Sequence, residues 1–342
     1  MAKCTWHFHY PKIRHFLMYL YTLYTIGIRF VYNHLLVMNF KTFIFFLLLP
    51  FFAIANPKFN EPTQFANVED SLKNIAITMF KGADQEKINS NKKFIDLLKK
   101  TLALEGAFEY PFDSLKFIAK LSSPDKVIRI FNWNIPKNDG SYMYYGFLLV
   151  DQTKLDSKNK STSSKFKLYE LTDKSAEIKN PELAVLAPDK WFGALYYKII
   201  LTNDKGKKYY TLLGWDGNTN MTWKKIIEVL TFGKDGSPIF GEKYLFERDK
   251  KTAKRIVFEF RADLTMTLKY EDDKKRIVFD HLAPEMPGAE GLYQFYSQTF
   301  SYDCYNWKKG KWKIEEDIDA RNNKNKKDNF YNKPEGDQSP AK

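Results

Sequence analysis

From residue 127 to residue 314 the chain repeats one device: a short run of β-branched and aromatic residues, a glycine-bearing turn, and a second such run. Residues 127–135 lead to Lys137-Asn138-Asp139-Gly140 and return over 141–150. Residues 191–202 cross Asn203-Asp204-Lys205-Gly206 into 207–215. Residues 226–232 reach Gly233-Lys234-Asp235-Gly236, with 244–247 beyond. Runs at 255–261, 264–270, 276–282 and 293–296 follow, and 299–307 turns at Lys308-Lys309-Gly310 into 311–314. Asp-Gly and Lys-Gly pairs supply the positive φ that tight hairpin turns need. The reading is a mainly β protein, an antiparallel hairpin meander closed as a barrel, a sandwich or an irregular propeller. The turns are too unevenly spaced for an internal repeat.

Helices precede the strands. Val68, Leu72, Ile75, Ala76 and Met79 fall on one helical face, with Gly82 as a stop. A second helix over 91–105 places Phe94, Leu97, Leu98, Thr101 and Leu102 together, with Gly106 just past its end. Leu115, Phe117, Ala119 and Leu121 alternate as a strand would, although Asp113 is also a helix cap. Residues 152–165 are a Ser/Lys/Asn-rich loop. Residues 321–342, polar and basic with Pro334 and Pro340, read as a disordered tail.

The N-terminal region differs in kind. Residues 38–55 carry Lys41, an apolar run over 43–52 and the small-x-small site Ala53-Ile54-Ala55, the pattern of a secretory signal peptide cleaved between Ala55 and Asn56. No acidic residue precedes Glu61, and four of the five histidines (His7, His9, His15, His34) lie within residues 1–37. That stretch reads as an upstream extension ahead of a start at Met38. In the alternative it is retained, and the apolar segments tether the protein to a membrane. Arg29 and His34 interrupt the first apolar stretch, and a span needs about 20 apolar residues, so cleavage is the expectation. The expected organisation is an extension (1–37), a signal peptide (38–55), a helical segment (56–110), a β domain (111–320) and a tail (321–342). The location is periplasmic or secreted.

The chain of 342 residues has a formal charge of +13, which falls to +8 once the leader's five basic residues are removed. Spread along the chain, this excess reads as a solubilising surface. Nucleic acid is not expected, since no RNP1 pattern or zinc-finger spacing occurs. Cleavage leaves Cys304 as the single cysteine, so no internal disulfide is possible. Its place among strand formers predicts a buried thiol.

Three segments carry a resemblance: 209–218 (Tyr-Tyr-Thr-Leu-Leu-Gly-Trp-Asp-Gly-Asn), 277–284 (Ile-Val-Phe-Asp-His-Leu-Ala-Pro) and 293–296 (Tyr-Gln-Phe-Tyr). Together they resemble a group of uncharacterised exported proteins of Bacteroidetes-type bacteria over roughly 112–322. The resemblance implies localisation and domain extent, and no activity.

Candidate chemistry is sparse. His281 is the only histidine after cleavage. Its neighbour Asp280 points to the opposite face of a strand, and no G-x-S-x-G elbow surrounds Ser297, Ser301 or Cys304. A strand-end histidine satisfied by the backbone is expected. Asp216, Asn218 and Asn220 begin a calcium-loop pattern, but Met221 and Ile227 stand where such a loop needs Gly and Glu, so a side-chain-bonded turn is expected instead. Asp216, Glu228, Glu259, Asp280 and Asp303 are available to a two-carboxylate hydrolase, with no separations to be read from sequence. P-loop, H-E-x-x-H and C-x-x-C motifs do not occur, and no cofactor is expected. Aromatic residues crowd the first hairpins: Trp133, Tyr142, Tyr144, Tyr145, Trp191, Tyr196, Tyr197, Tyr209, Tyr210, Trp215 and Trp223. Most should fill the core, and any exposed rings suit stacking on sugars. The expectation is a non-enzymatic binding or structural module of the cell envelope, for glycan or an envelope protein. Its rival is a carboxylate hydrolase acting on envelope or extracellular glycans. A deep cavity holding two carboxylates favours the rival, and a shallow aromatic face favours the module.

Overall fold

A computed structural model describes residues 61–155, 165–248 and 251–320. The expected extension, signal peptide with its Ala55–Asn56 junction, and C-terminal tail lie outside the described residues.

Two helices open the described chain, α1 (Glu61–Lys81) and α2 (Asp84–Leu102). α2 begins seven residues before its expected start. Its first turns, Asp84-Gln85-Glu86-Lys87, are too polar to show a buried face, and local hydrogen bonding holds them. The Glu86 carboxylate accepts the Ala83 N–H at 3.1 Å, and Asp84 and Glu86 favour the positive end of the helix dipole. The expected strand over 115–121 is short: only β1 (Ala119–Ser122) is extended, and 112–118 is a series of turns.

The strands build three antiparallel sheets. The first runs β1–β2–β3–β4, with β2 (Ile128–Pro136), β3 (Tyr142–Asp151) and β4 (Phe166–Thr172). A single helical turn, α3 (Gln152–Leu155), follows β3. The second sheet runs β11–β7–β6–β5 from β5 (Leu195–Asp204), β6 (Lys207–Asp216), β7 (Thr222–Phe232) and β11 (Arg255–Arg261). β8 (Pro238–Phe240) adds to β7. The third sheet, β10–β9–β15–β14–β13–β12, comprises β9 (Phe246–Arg248), β10 (Lys251–Ala253), β12 (Leu268–Glu271), β13 (Arg276–Pro284), β14 (Tyr296–Lys308) and β15 (Lys311–Glu315). One pairing departs from the antiparallel rule: β15 lies parallel to β9, with Trp312 opposite Phe246.

Alternation of side chains across each strand stacks these sheets in layers. Phe131, Trp133, Ile135 and Phe147 face the helices and meet Phe65, Leu72, Met79, Phe94 and Leu98. Ile128, Ile130, Tyr144, Leu148 and Val150 face the other way and pack on Tyr196, Tyr210, Leu212, Ile226 and Leu230 of the second sheet. The opposite face of that sheet offers Ile200, Tyr209, Leu213, Ile227 and Val229 to Leu268, Ile277, Phe279, Tyr305 and Trp312 of the third. Each such side chain contributes about 1.5–3 kcal/mol of hydrophobic stabilisation. The order is helices, sheet, sheet, sheet: a stack of open sheets, not a barrel or a propeller.

This layering places most of the aromatic rings in the core, as expected. The central sheet is covered on both sides, so adjacent rings find a core whichever way they point: Tyr210 joins one layer and Tyr209 the next. Among the paired tyrosines only Tyr197 is exposed, and its hydroxyl donates to the Leu268 carbonyl at 2.9 Å. Cys304 is buried as expected, and burial pushes its thiol pKa up. No helix among the described residues is long and apolar enough to cross a membrane.

Candidate functional site

A cavity of about 740 Å³ continues the interface between the first and second sheets. Tyr142 and Tyr144 of β3 line one side. Asp216, Asn218 and Lys224 come from the β6–β7 turn and its flanks, and Val257 and Glu259 from β11. The remaining wall is the long connection between β4 and β5, which contributes Asp173, Ser175, Ile178, Lys179, Pro181, Glu182 and Leu183, with Tyr293 at the rim.

Each wall is fixed by a specific contact. The Asp173 carboxylate accepts the Ser175 N–H at 3.0 Å, the Ser175 hydroxyl at 2.6 Å and the Gly193 N–H at 3.3 Å, which closes the connection upon itself. Gly193 admits this approach, because a Cβ there would stand 2.5 Å from the Asp173 carboxyl carbon. Gly217 plays the same part for Tyr142, whose ring occupies the space a Cβ would take, 2.2 Å from the nearest ring carbon. Glu182 anchors to the start of β11, its carbonyl accepting the Lys254 N–H at 2.8 Å and the Arg255 N–H at 3.3 Å. Beneath it, Arg255 donates to the Pro181 carbonyl and pairs with Glu228, both side chains fully buried.

The floor is a linked set of polar groups. Asp216 Oδ1 accepts the Asn218 N–H at 2.8 Å, the side-chain-bonded turn that the sequence implies. Asn218 Oδ1 in turn accepts Lys224 Nζ at 2.8 Å, while Asn220 is exposed. With an ammonium on a would-be ligand oxygen, this triplet is arranged as a turn and not as a calcium loop. Asn218 Nδ2 donates to Glu259 Oε1 at 3.1 Å and the Thr222 hydroxyl donates to the same oxygen at 2.7 Å. Lys224 lies 3.8 Å from Glu259 Oε2. Tyr144 accepts the Gly217 N–H at 2.7 Å and hydrogen-bonds Asp216.

These settings give the two carboxyl groups different characters. Burial, with help from nearby Asp173, pushes the Asp216 pKa up, against the opposing pull of the Asn218 N–H, Tyr144 and Lys224. Burial and the Asp216 charge together push Tyr144 far above the ordinary phenol range. Glu259 has the Asn218 amide and the Thr222 hydroxyl on one oxygen and Lys224 near the other. Across the cavity four carboxyl groups (Asp173, Glu182, Asp216, Glu259) face two ammonium groups (Lys179, Lys224), a local acidic excess in a basic chain.

A raised carboxyl pKa favours protonation in the folded state. Its stabilising contribution is complete below the ordinary value of 3.8 and is lost as pH rises through the folded value. Asp216→Asn, which removes the cost of burying the ionised carboxyl but keeps the shape, is therefore expected to melt above the native protein at pH 7. The gain should vanish below about pH 3.8, and melting curves across that range check it. An equal shift at both pH values would mean that the charge is not the cause.

The structure separates the other sequence candidates from this site. Glu228 is held by Arg255 and by the Tyr196 hydroxyl within the core. Asp280 accepts the Thr267 N–H at 2.6 Å. His281 is not satisfied by the backbone: its Nδ1 pairs with Asp303 Oδ2 at 2.8 Å, across from a bulge that sets residues 299–301 against this single residue. Of the five candidate acids, the cavity brings together Asp216 and Glu259. No family model, no curated protein and no solved structure matches the chain. Asp173, Ser175 and Glu182 were absent from the sequence reading, and the signal for them was the length of the connection that carries them.

Proposed function

We propose that this is an exported protein of the cell envelope whose cavity binds a hydroxyl-rich ligand, a glycan. The observation that carries the reading is a 740 Å³ cavity combining carboxyl groups, amide and hydroxyl groups with tyrosine rings. Sugar hydroxyls pair with such oxygens, and the C–H faces of a sugar ring lie against aromatic rings such as the half-exposed Tyr293. The acidic excess favours neutral or amino-bearing sugars over phosphorylated or uronic ones. The leader pattern and the resemblance to exported proteins support the location.

The test takes the protein from fractionated cells, with an intact mass expected to begin at Asn56, and applies it to an oligosaccharide array. Binding of neutral or amino-sugar glycans is expected. Tyr293→Ala should weaken it about tenfold, or about 1.4 kcal/mol, without lowering the melting temperature. An array without bound glycan, or binding indifferent to Tyr293, would overturn the proposal.

A further inference from the structure

Asp216 and Glu259 stand in the same cavity without bonding one another. Asn218 stands between them, its main-chain N–H on Asp216 and its side-chain amide on Glu259. One residue thus fixes both carboxyl groups. The Thr222 hydroxyl adds a second hydrogen bond to Glu259, and Lys224 lies 3.8 Å from its other oxygen.

We propose that the cavity hydrolyses the glycan it binds, with Asp216 protonating the leaving glycosidic oxygen and Glu259 taking a proton from the attacking water. The inference rests on the cavity being a glycan site. In the step, the water oxygen forms a bond to the anomeric carbon as its proton passes to Glu259. The glycosidic C–O bond breaks with its electron pair going to the leaving oxygen, which takes the Asp216 proton. Solvent then returns a proton from Glu259 to Asp216, and no other reactant is needed.

The surroundings match these roles. Burial favours the protonated form of Asp216, as an acid requires, and the charged groups facing it, Asp173 and Lys224, act in opposite directions. Glu259 has donors around it and no acidic hydrogen-bond partner among the described residues. Enzymes that act through a water leave about 6.5–9.5 Å between their carboxyl groups, and those that attack directly leave about 5 Å. The step above acts through a water in a single displacement, so inversion at the anomeric carbon follows.

The oligosaccharides that bind on the array are offered to the native protein, to Asp216→Asn and to Glu259→Gln, with release of reducing ends followed and the product anomer read by NMR. Cleavage with inversion is expected. Both variants should still bind, and turnover should fall about 10²–10⁴-fold. Glu259→Ala should regain turnover with azide, forming the glycosyl azide, a rescue that a purely structural glutamate would not show. Bound oligosaccharide that stays intact, turnover unchanged in both variants, or a retained anomer would overturn the proposal. Failure to bind any glycan would instead fall on the binding reading and remove this one with it.

Discussion

Arg255→Ala is expected to destabilise the protein by about 3–5 kcal/mol, measured by urea unfolding. Arg255 and Glu228 are both fully buried, and they pair through Arg255 Nε and a terminal nitrogen onto Glu228 Oε1. The other glutamate oxygen accepts the Tyr196 hydroxyl, which accepts Trp191 Nε1 at 2.8 Å. Removing the guanidinium leaves a carboxylate in the core with one neutral donor. The pair itself is not where the stability resides, because burying two charges costs nearly what their attraction returns. Arg255→Met with Glu228→Leu should therefore recover most of the loss. The Pro181 carbonyl would lose its guanidinium donor and the Tyr196 hydroxyl its acceptor, each keeping one other partner, at about 1–3 kcal/mol in all. A single variant within about 1 kcal/mol of the native protein would refute this account. The pair also supports the cavity wall, so Arg255→Ala should weaken ligand binding beyond its effect on unfolding.

Trp133→Ala should cost a comparable amount, about 3–5 kcal/mol. Its indole is fully buried between helices and first sheet, edge-on to Phe94 at 5.1 Å and stacked on Tyr145 at 5.8 Å. Its Nε1 donates to Asn91 Oδ1 at 2.9 Å, so truncation also takes the indole donor from a buried amide oxygen. Typical domains unfold with about 5–15 kcal/mol, and the loss is a large part of that. Trp133→Phe should be milder and should separate the volume effect from the lost hydrogen bond. Near-ultraviolet dichroism and urea midpoints measure both. An alanine variant less destabilised than the phenylalanine one would show that the helices are not held through this ring.

The hairpins were legible because their turns require particular residues. Lys137 to Gly140 and Asn203 to Gly206 mark the β2–β3 and β5–β6 reversals, and Gly140 and Gly206 both take φ of +82°. Sheet membership was not legible. Residues 255–261 and 264–270 are neighbours in sequence, yet β11 pairs with β7 in the second sheet while β12 joins β13 in the third. A strand's own side chains carry no record of which edge it completes. β4 escaped notice because Lys167 and Glu170 interrupt its apolar residues, as suits a strand at the edge of its sheet. β8 is three residues long, too short for any period, and it takes the place beside β7 expected of the run over 244–247, whose end is β9, paired with β10 and β15. The site was legible only in part. Asp216 and Asn218 announced a turn, and Glu259 was one acid among many. What joins them is the register that sets Glu259 opposite Lys224 across β7 and β11. That register is a property of the pairing and not of either segment.

The parallel seam between β15 and β9 has a consequence for how the molecule is made. Residues 246–248 emerge well before residues 311–315, and β15 is the strand inserted between β9 and β14. Trp312 also ties this strand to the second sheet, its Nε1 donating to the Thr211 hydroxyl at 3.0 Å. A chain delivered vectorially from its N-terminus therefore carries two naked strand edges until its last described strand arrives. In that interval it is a natural client for a holding chaperone. Chains cut short before Lys311 should accumulate as aggregates through those same edges.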